Sequence, residues 1–272
     1  MGYQQEQGEL GALLHLAVRA AREAAAVIRE AAPRARSIDW RSKGPADFVS
    51  EVDLAAEERI LRLVRRELPE AVILAEETAT HVPPGVLARG LAVVIDPLDG
   101  TTNFLHGYPE YAVSIAILRA GEPVAGVVLD VPGDELFTAT AGGGCRLDGV
   151  PCTVSAITDP PRALIGTGFP FKDAGDIAPY HAQMSRVMAG VSGVRRPGAA
   201  SIDLASVACG RFDAFWETML APWDFAAGML LVREAGGMAT DLAGQHLTAL
   251  GSSSVLAGNA AMHAWLGNAV RG

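Results

Sequence analysis

The stretch Val93–Phe104, VVIDPLDGTTNF, decides how this chain is read. An apolar run of strand character stops at Asp96, Asp99 follows three residues on, and Gly100-Thr101-Thr102 comes at once. Pro97 and Gly100 argue against a helix through the pair. The two charges therefore stand where a buried strand opens into a turn. Carboxylates in that position can hold a metal, attack a phosphorus atom or cap a helix.

Working outward, other acids occupy similar places. Glu76 and Glu77 end the strand-like segment AVILA at 71–75, and Asp224 opens a helical segment in PWDFAAG. Carboxylates gathered at one point repel one another and hold protons more tightly. Divalent cations relieve that repulsion, and Mg²⁺ takes hard oxygen ligands while keeping water and bridging to phosphate. Two such ions about 3.5–4 Å apart can steady both the attacking and the leaving oxygen. The Leu98 carbonyl lies in the turn between Asp96 and Asp99 and is a further candidate donor. The spacing D-x-x-D-G-T is one residue longer than the D-x-D-x-T of enzymes that form an aspartyl-phosphate, so attack by water is favoured over a covalent intermediate. Gly100 and Thr101 begin a short helix whose free amides suit a phosphate, and the Thr101 hydroxyl is placed to orient water. Asp53 stands three residues after Ser50, which a capping box explains as well as a functional role does. Glu77 reads as a solvated neighbour of Glu76 rather than as a ligand.

Composition narrows the class. The chain has 272 residues, half of them hydrophobic, enough for a sizeable core. Its net charge of −9 opposes long-range attraction to nucleic acid or an anionic membrane. The three cysteines, Cys145, Cys152 and Cys209, form no disulfide framework or zinc-ligand set. The six histidines make no H-E-x-x-H pair. With no basic leader and no apolar run of membrane length, the expectation is a cytoplasmic protein.

The elements follow from periodicity. Apolar residues from Leu10 to Ile28 recur at helical spacing and stop near Pro33. The basic segment RARSIDWRSKG reads as strand or loop. A second helix runs from about Glu51 to Leu68, with Ser50 as its N-cap. Residues 91–95 form a strand, and 111–147 form an antiparallel meander. From about residue 160, strands and helices alternate, with helices at IAPYHAQMSRVMAG, AASIDLASVACG, PWDFAAGMLLVREAGG and after Asn259. The fold class is α/β (α+β), a single domain with subdomains of approximately 1–155 and 156–272 and a ligand cleft between them.

DPLDGTTNF and PWDFAAGMLLVREAGG resemble the two signatures of the inositol monophosphatase family, in the order that family has them. SEVDLAAEE, LAEET, GYPEYAVSIA, GTGFPF, RRPGAASIDLASVACGRFDAFWE and LAGN extend the similarity over nearly the whole chain, and it is strongest toward the bacterial branch. The resemblance implies a layered α-β-α-β-α sandwich, a homodimer, and lithium-sensitive hydrolysis of inositol monophosphate with two or three Mg²⁺ ions per site. Glu76, Asp96, the Leu98 carbonyl, Asp99 and Asp224 would bind the metal. Thr101 with Glu76 would activate water, and Asp53 would hold Thr101. The Gly100 and Thr101 amides would hold the phosphate, while Gly198, Ala199, Ala200 and Glu217 would meet the polyol, with Asp99 and Asp224 near its hydroxyls. Two departures stand out: Ala75 replaces a common Gly, and Ala199 replaces a common Ser or Thr, removing a hydroxyl from the polyol pocket. Related chemistries on similar motifs include fructose-1,6-bisphosphatase, histidinol-phosphatase and 3',5'-bisphosphate nucleotidase. A non-catalytic regulatory protein on the same scaffold is the reading from another class.

Overall fold

The computed structural model describes residues 2–171 and 174–272. Helix α1 (Gly2–Ala31) ends in a 3₁₀ turn at Ala32–Ser37, where Pro33 cannot continue the helical ladder. A two-stranded hairpin follows, β1 (Trp40–Gly44) and β2 (Asp47–Ser50), then α2 (Glu51–Glu67). Next come β3 (Val72–Ala75), the single turn α3 (Pro84–Leu87), β4 (Leu91–Asp99) and α4 (Thr101–His106). The meander is β5 (Ala112–Arg119), β6 (Glu122–Asp130), β7 (Glu135–Thr140), β8 (Gly144–Leu147) and β9 (Val150–Cys152). The remainder is β10 (Leu164–Thr167), α5 (Ile177–Met188), β11 (Gly193–Arg195), α6 (Ala200–Ala208), β12 (Ala214–Leu220), α7 (Pro222–Glu234), β13 (Met238–Thr240), β14 (Ser253–Gly258) and α8 (Ala260–Arg271).

Two sheets organise these elements. Seven strands run in the order β3-β4-β5-β6-β7-β8-β9, antiparallel except for β3–β4, and five run β11-β10-β12-β14-β13. Helices α1 and α2 cover the outer face of the large sheet, α6 and α7 lie between the sheets, and α5 and α8 close the small one. This is the α-β-α-β-α sandwich expected. The layering explains the sequence patterns. α6 is buried along its whole length because a sheet lies on each side, so it has no polar face. β5, AVSIAILR, is buried at every position but the last because helices cover both faces.

The sequence reading ended β4 at Ile95, whereas the strand runs on to Asp99. Asp96 pairs with Ser114 and Asp99 with Ala112, so Pro97 and Leu98 together oppose the single residue Val113. That is a β-bulge, and it decides the geometry of the opening motif. On a regular strand, residues three apart point to opposite faces. The bulge absorbs one residue and returns Asp99 to the face of Asp96. Pro97, which has no N–H, is tolerated at such a site. Strands β2, β9 and β13 were not anticipated, being short and lacking alternation. Cys145 and Cys152 are cross-strand partners with sulfurs 3.3 Å apart, both as free thiols. Among the described residues no helix is long and apolar enough to cross a membrane.

Candidate active site

The bulge, the end of β3 and the first turns of α4 and α7 converge on one cleft. Its main chamber, about 400 Å³, is lined by Glu76, Asp96, Leu98, Asp99, Gly100, Thr101, Gly198 and Asp224, with Arg196 at its wall. An adjoining recess of about 150 Å³ shares Asp99, Arg196, Gly198 and Asp224 and adds Gly168, Ala200 and Glu217. A larger apolar groove of about 640 Å³ beside α5 meets the cleft at Phe169, Phe171 and Arg196, and among the described residues no carboxylate lines it. The acidic cleft is where the chemistry gathers.

Thr101 is the hinge of the arrangement. Its hydroxyl lies 2.8 Å from Asp53 Oδ1 and 3.0 Å from the Leu98 carbonyl, both acceptors for its one proton. Asp53 Oδ2 accepts from the Ser50 amide at 2.8 Å and the Ser50 hydroxyl at 2.6 Å. Asp53 thus makes both the capping contacts and a contact to Thr101. One oxygen caps α2 and the other restrains Thr101, with the residue only 1 % exposed. Gly100 precedes Thr101 at φ +88°, and a Cβ there would meet the Glu110 carbonyl at 2.8 Å, so only glycine turns β4 into α4 this tightly.

Asp96 is 1 % exposed, with Oδ1 accepting from the Leu98 amide at 3.0 Å. Burial, then the charges of Glu76, Asp99 and Asp224, push its pKa well above the usual carboxylate range. Asp99 is pushed up to about 6, chiefly by burial, while hydrogen bonds from Ser201 pull it back. Asp224 Oδ2 accepts from the Ala221 amide at 2.7 Å and so caps α7. Glu76 pairs with Lys43 on the β1–β2 hairpin, Nζ to Oε1 2.6 Å, and Lys43 also reaches Glu77 at 2.9 Å. Glu77 is not the solvated neighbour expected. Its side chain is 3 % exposed, and burial followed by the charge of Glu76 raises its pKa to about 7.

These donors suit a hard divalent cation: carboxylates and a backbone carbonyl, buried, mutually repelling, and relieved at the rim by the Lys43 ammonium. Among the described residues no three acidic, histidine or cysteine side chains already stand at metal-ligating spacing. Glu76 leans to Lys43, Asp99 to Ser201 and Asp224 to its helix end. An ion held by these residues would exchange or share those partners.

A profile of the inositol monophosphatase family matches residues 9–272. The chain belongs to the inositol monophosphatase family. It is 46 % identical over 249 residues to the Nus factor SuhB of Pseudomonas aeruginosa, covering 91 % of each chain. It is 43 % identical over 252 residues to an inositol-1-monophosphatase of Rhizobium meliloti, covering 91 % of this chain and 92 % of the relative. The crystal structure of the extragenic suppressor protein SuhB from Bartonella henselae superposes with a TM-score of 0.88 at 39 % identity, covering 96 % of this chain and 98 % of that one. Membership in the inositol monophosphatase family supports phosphatase chemistry.

Two residues expected at the polyol lie differently from one another. Ala200 lines the recess, whereas Ala199 is 1 % exposed and packs into the core between the sheets. Ala199 is the N-cap position of α6, its backbone extended so that the side chain turns inward. Glu217 reaches the recess from β12 and lies over Gly168, where a Cβ would come within 1.9 Å of the carboxylate. That contact gives GTGFPF its meaning, which the motif lacked as a bare glycine-aromatic turn. Lys43, Arg196 and Ser201 were missed as site residues. Arg196 stacks near Phe169 and Phe171, at 5.4 and 5.1 Å from their centroids. Only long-range packing brings these residues to the cleft, and no local pattern marks them.

Proposed function

We propose that this inositol monophosphatase family member is a Mg²⁺-dependent phosphomonoesterase that hydrolyses inositol monophosphate to inositol and phosphate. The observation that carries the reading is the bulged end of β4. It puts Asp96 and Asp99 on one face beside Glu76 and Asp224, with Thr101 tethered to Asp53. Glu76, Asp96, the Leu98 carbonyl, Asp99 and Asp224 would hold Mg²⁺, two or three ions in all. When bound, the metal supplies charge neutralisation and lowers the pKa of a nearby water.

The chain's own groups do the rest. With its proton directed at Asp53 Oδ1, the Thr101 hydroxyl turns lone pairs to the cleft and accepts a hydrogen bond from water. That orients the water's oxygen toward phosphorus, and Glu76 is the carboxylate that takes up its proton. The Gly100 and Thr101 amides hold the phosphate oxygens. Gly198, Ala200 and Glu217 border the recess where the polyol would sit, with Asp99 and Asp224 facing its hydroxyls. Alanine at position 199, where Ser or Thr is common, takes a hydroxyl out of the expected polyol set, so the residues do not single out one polyol. Sugar bisphosphates, histidinol phosphate and 3',5'-bisphosphate nucleotides are therefore the competing substrates to test.

The family reading carries a cytoplasmic homodimer and lithium inhibition with it. The exposed side chains of Phe171, Ile177 and Met188 are an apolar surface in keeping with self-association. The Nus factor name of the Pseudomonas relative supports a second reading, a regulatory protein on this scaffold. The full set of acidic residues favours retained catalysis alongside any such role. The deciding experiment is phosphate release from a panel of these substrates at millimolar Mg²⁺. Preferred turnover of inositol monophosphate is expected. Silence across the panel would sink the enzyme reading and leave the regulatory one.

A further inference from the structure

α6 has no cap of its own. Its N-cap residue, Ala199, offers no side-chain acceptor, and the helix begins between the two sheets with every residue buried. The acceptor comes instead from the end of β4, across the cleft. Asp99 Oδ2 receives the Ser201 amide at 2.8 Å and the Ser201 hydroxyl at 2.6 Å, and the Ala200 amide also donates to this carboxylate. The sequence offered Asp99 as a possible cap for the helix that follows it, α4. It caps α6 instead, more than a hundred residues away along the chain.

Two donors from one residue on one oxygen do more than satisfy a helix end. The Ser201 and Ala200 amides restrain the carboxylate from the helix end, and the torsion that turns its plane is a soft one. The hydroxyl adds a second direction and fixes the plane. It is a short bond to an ionisable oxygen, the stronger kind. Ser201 is 0 % exposed, so no water stands ready to replace it. Oδ1, covalently fixed relative to Oδ2, is then aimed by α6 rather than by β4.

Resting on the reading of Asp99 as a metal ligand, we propose that Ser201 is a positioning residue that sets the carboxylate plane of Asp99 for divalent-cation binding. Partners that orient a ligand from behind are worth about 10–100-fold in metal affinity when removed. The amide of residue 201 persists in any variant, so the hydroxyl can be tested separately from the helix cap.

The test is direct Mn²⁺ titration of the metal-stripped full chain, read by the free-ion electron paramagnetic resonance signal, with thermal melts in EDTA beside it. Ser201→Ala is expected to raise the Mn²⁺ dissociation constant at least about tenfold while the metal-free melting temperature moves little. Ser201→Thr, which keeps the hydroxyl, is expected to restore the affinity. The added methyl group meets a closed core, so a double-mutant cycle stands beside it: on an Asp99→Asn background, Ser201→Ala is expected to have no further effect. Unchanged Mn²⁺ affinity in Ser201→Ala, or the same loss on both backgrounds, would overturn the proposal. If the wild-type chain itself bound no Mn²⁺, the metal reading would fall and this inference with it. Metal-dependent phosphate release by the wild type together with an indifferent Ser201→Ala removes only the inference.

Discussion

Asp53→Asn separates the structural and the catalytic duties of one side chain. Asp53 spends Oδ2 on the Ser50 amide and hydroxyl and Oδ1 on the Thr101 hydroxyl, all three as acceptor. The amide is nearly isosteric but has one acceptor oxygen and one donor nitrogen. If its oxygen stays with Ser50, the NH₂ faces Thr101 and drives that hydroxyl's proton elsewhere, toward the Leu98 carbonyl at 3.0 Å. A lone pair meant for water is then used up. If its oxygen turns to Thr101, the NH₂ faces the Ser50 N–H, and the cap of α2 is lost. The first orientation keeps a weakened neutral cap, and the second forfeits about 1 kcal/mol of capping. In either case the metal-free chain is expected to lose about 1–2 kcal/mol, a drop of a few degrees in melting temperature for a chain of this size. Disturbing the group that orients the attacking water is expected to lower kcat at least about 100-fold, near 2.7 kcal/mol of barrier. The assay is phosphate release from inositol 1-phosphate at saturating Mg²⁺, beside melts in EDTA. A variant that melts lower yet turns over at the wild-type rate would reduce Asp53 to a helix cap and refute the coupling.

Further outcomes follow from the same structure. Gly168→Ala puts a methyl group 1.9 Å from the Glu217 carboxylate, which must swing away; KM for inositol phosphate should rise severalfold with Mn²⁺ affinity unchanged, and an unaltered KM would remove Glu217 from the polyol site. Lys43→Met deletes the ammonium that competes with metal for Glu76 and that also pairs with Glu77. The midpoint of Mg²⁺ activation should fall, the metal-free chain should melt lower, and a higher midpoint would contradict the competition. His263 accepts or shares a proton with Thr240 at 2.8 Å, and burial pushes its pKa below the ordinary 6.5. The unfolded chain therefore takes up the proton first. Stability from this group is full above about pH 6.5 and is lost as pH falls below it toward the folded pKa. His263→Gln should flatten that slope in chemical denaturation between pH 7 and 5, and an unchanged slope would assign it to other groups.

Much of this was legible in the residues because it is local. Helices α1, α2, α7 and α8 announced themselves by periodicity, by Ser50 and Asn259 as caps and by Pro33 as a stop. The metal-site candidates were legible because each ends a strand or opens a helix, where a buried element meets the cleft. The bulge was not. VVIDPLD reads as a strand followed by a turn, and only pairing with β5 shows one extra residue absorbed opposite Val113. Glu77 was misjudged because its burial depends on Lys43 reaching across from the hairpin. Ser201 was passed over as an ordinary helix residue because its partner, Asp99, lies in another layer. Ala199 was placed at the polyol by the family resemblance; its side chain is buried, which no local pattern in the motif announces.

The most direct test is the rate of phosphate release from inositol 1-phosphate by the metal-stripped chain as Mg²⁺ is restored, for wild type and Asp96→Asn side by side. Asp96→Asn keeps the size of a side chain that is 1 % exposed and removes the charge that Glu76, Asp99 and Asp224 crowd upon. The account predicts no release without Mg²⁺, saturable release with it, and essentially none from the folded Asp96→Asn protein at any Mg²⁺ concentration. Release that persists in EDTA, or near-normal turnover by Asp96→Asn, would contradict it.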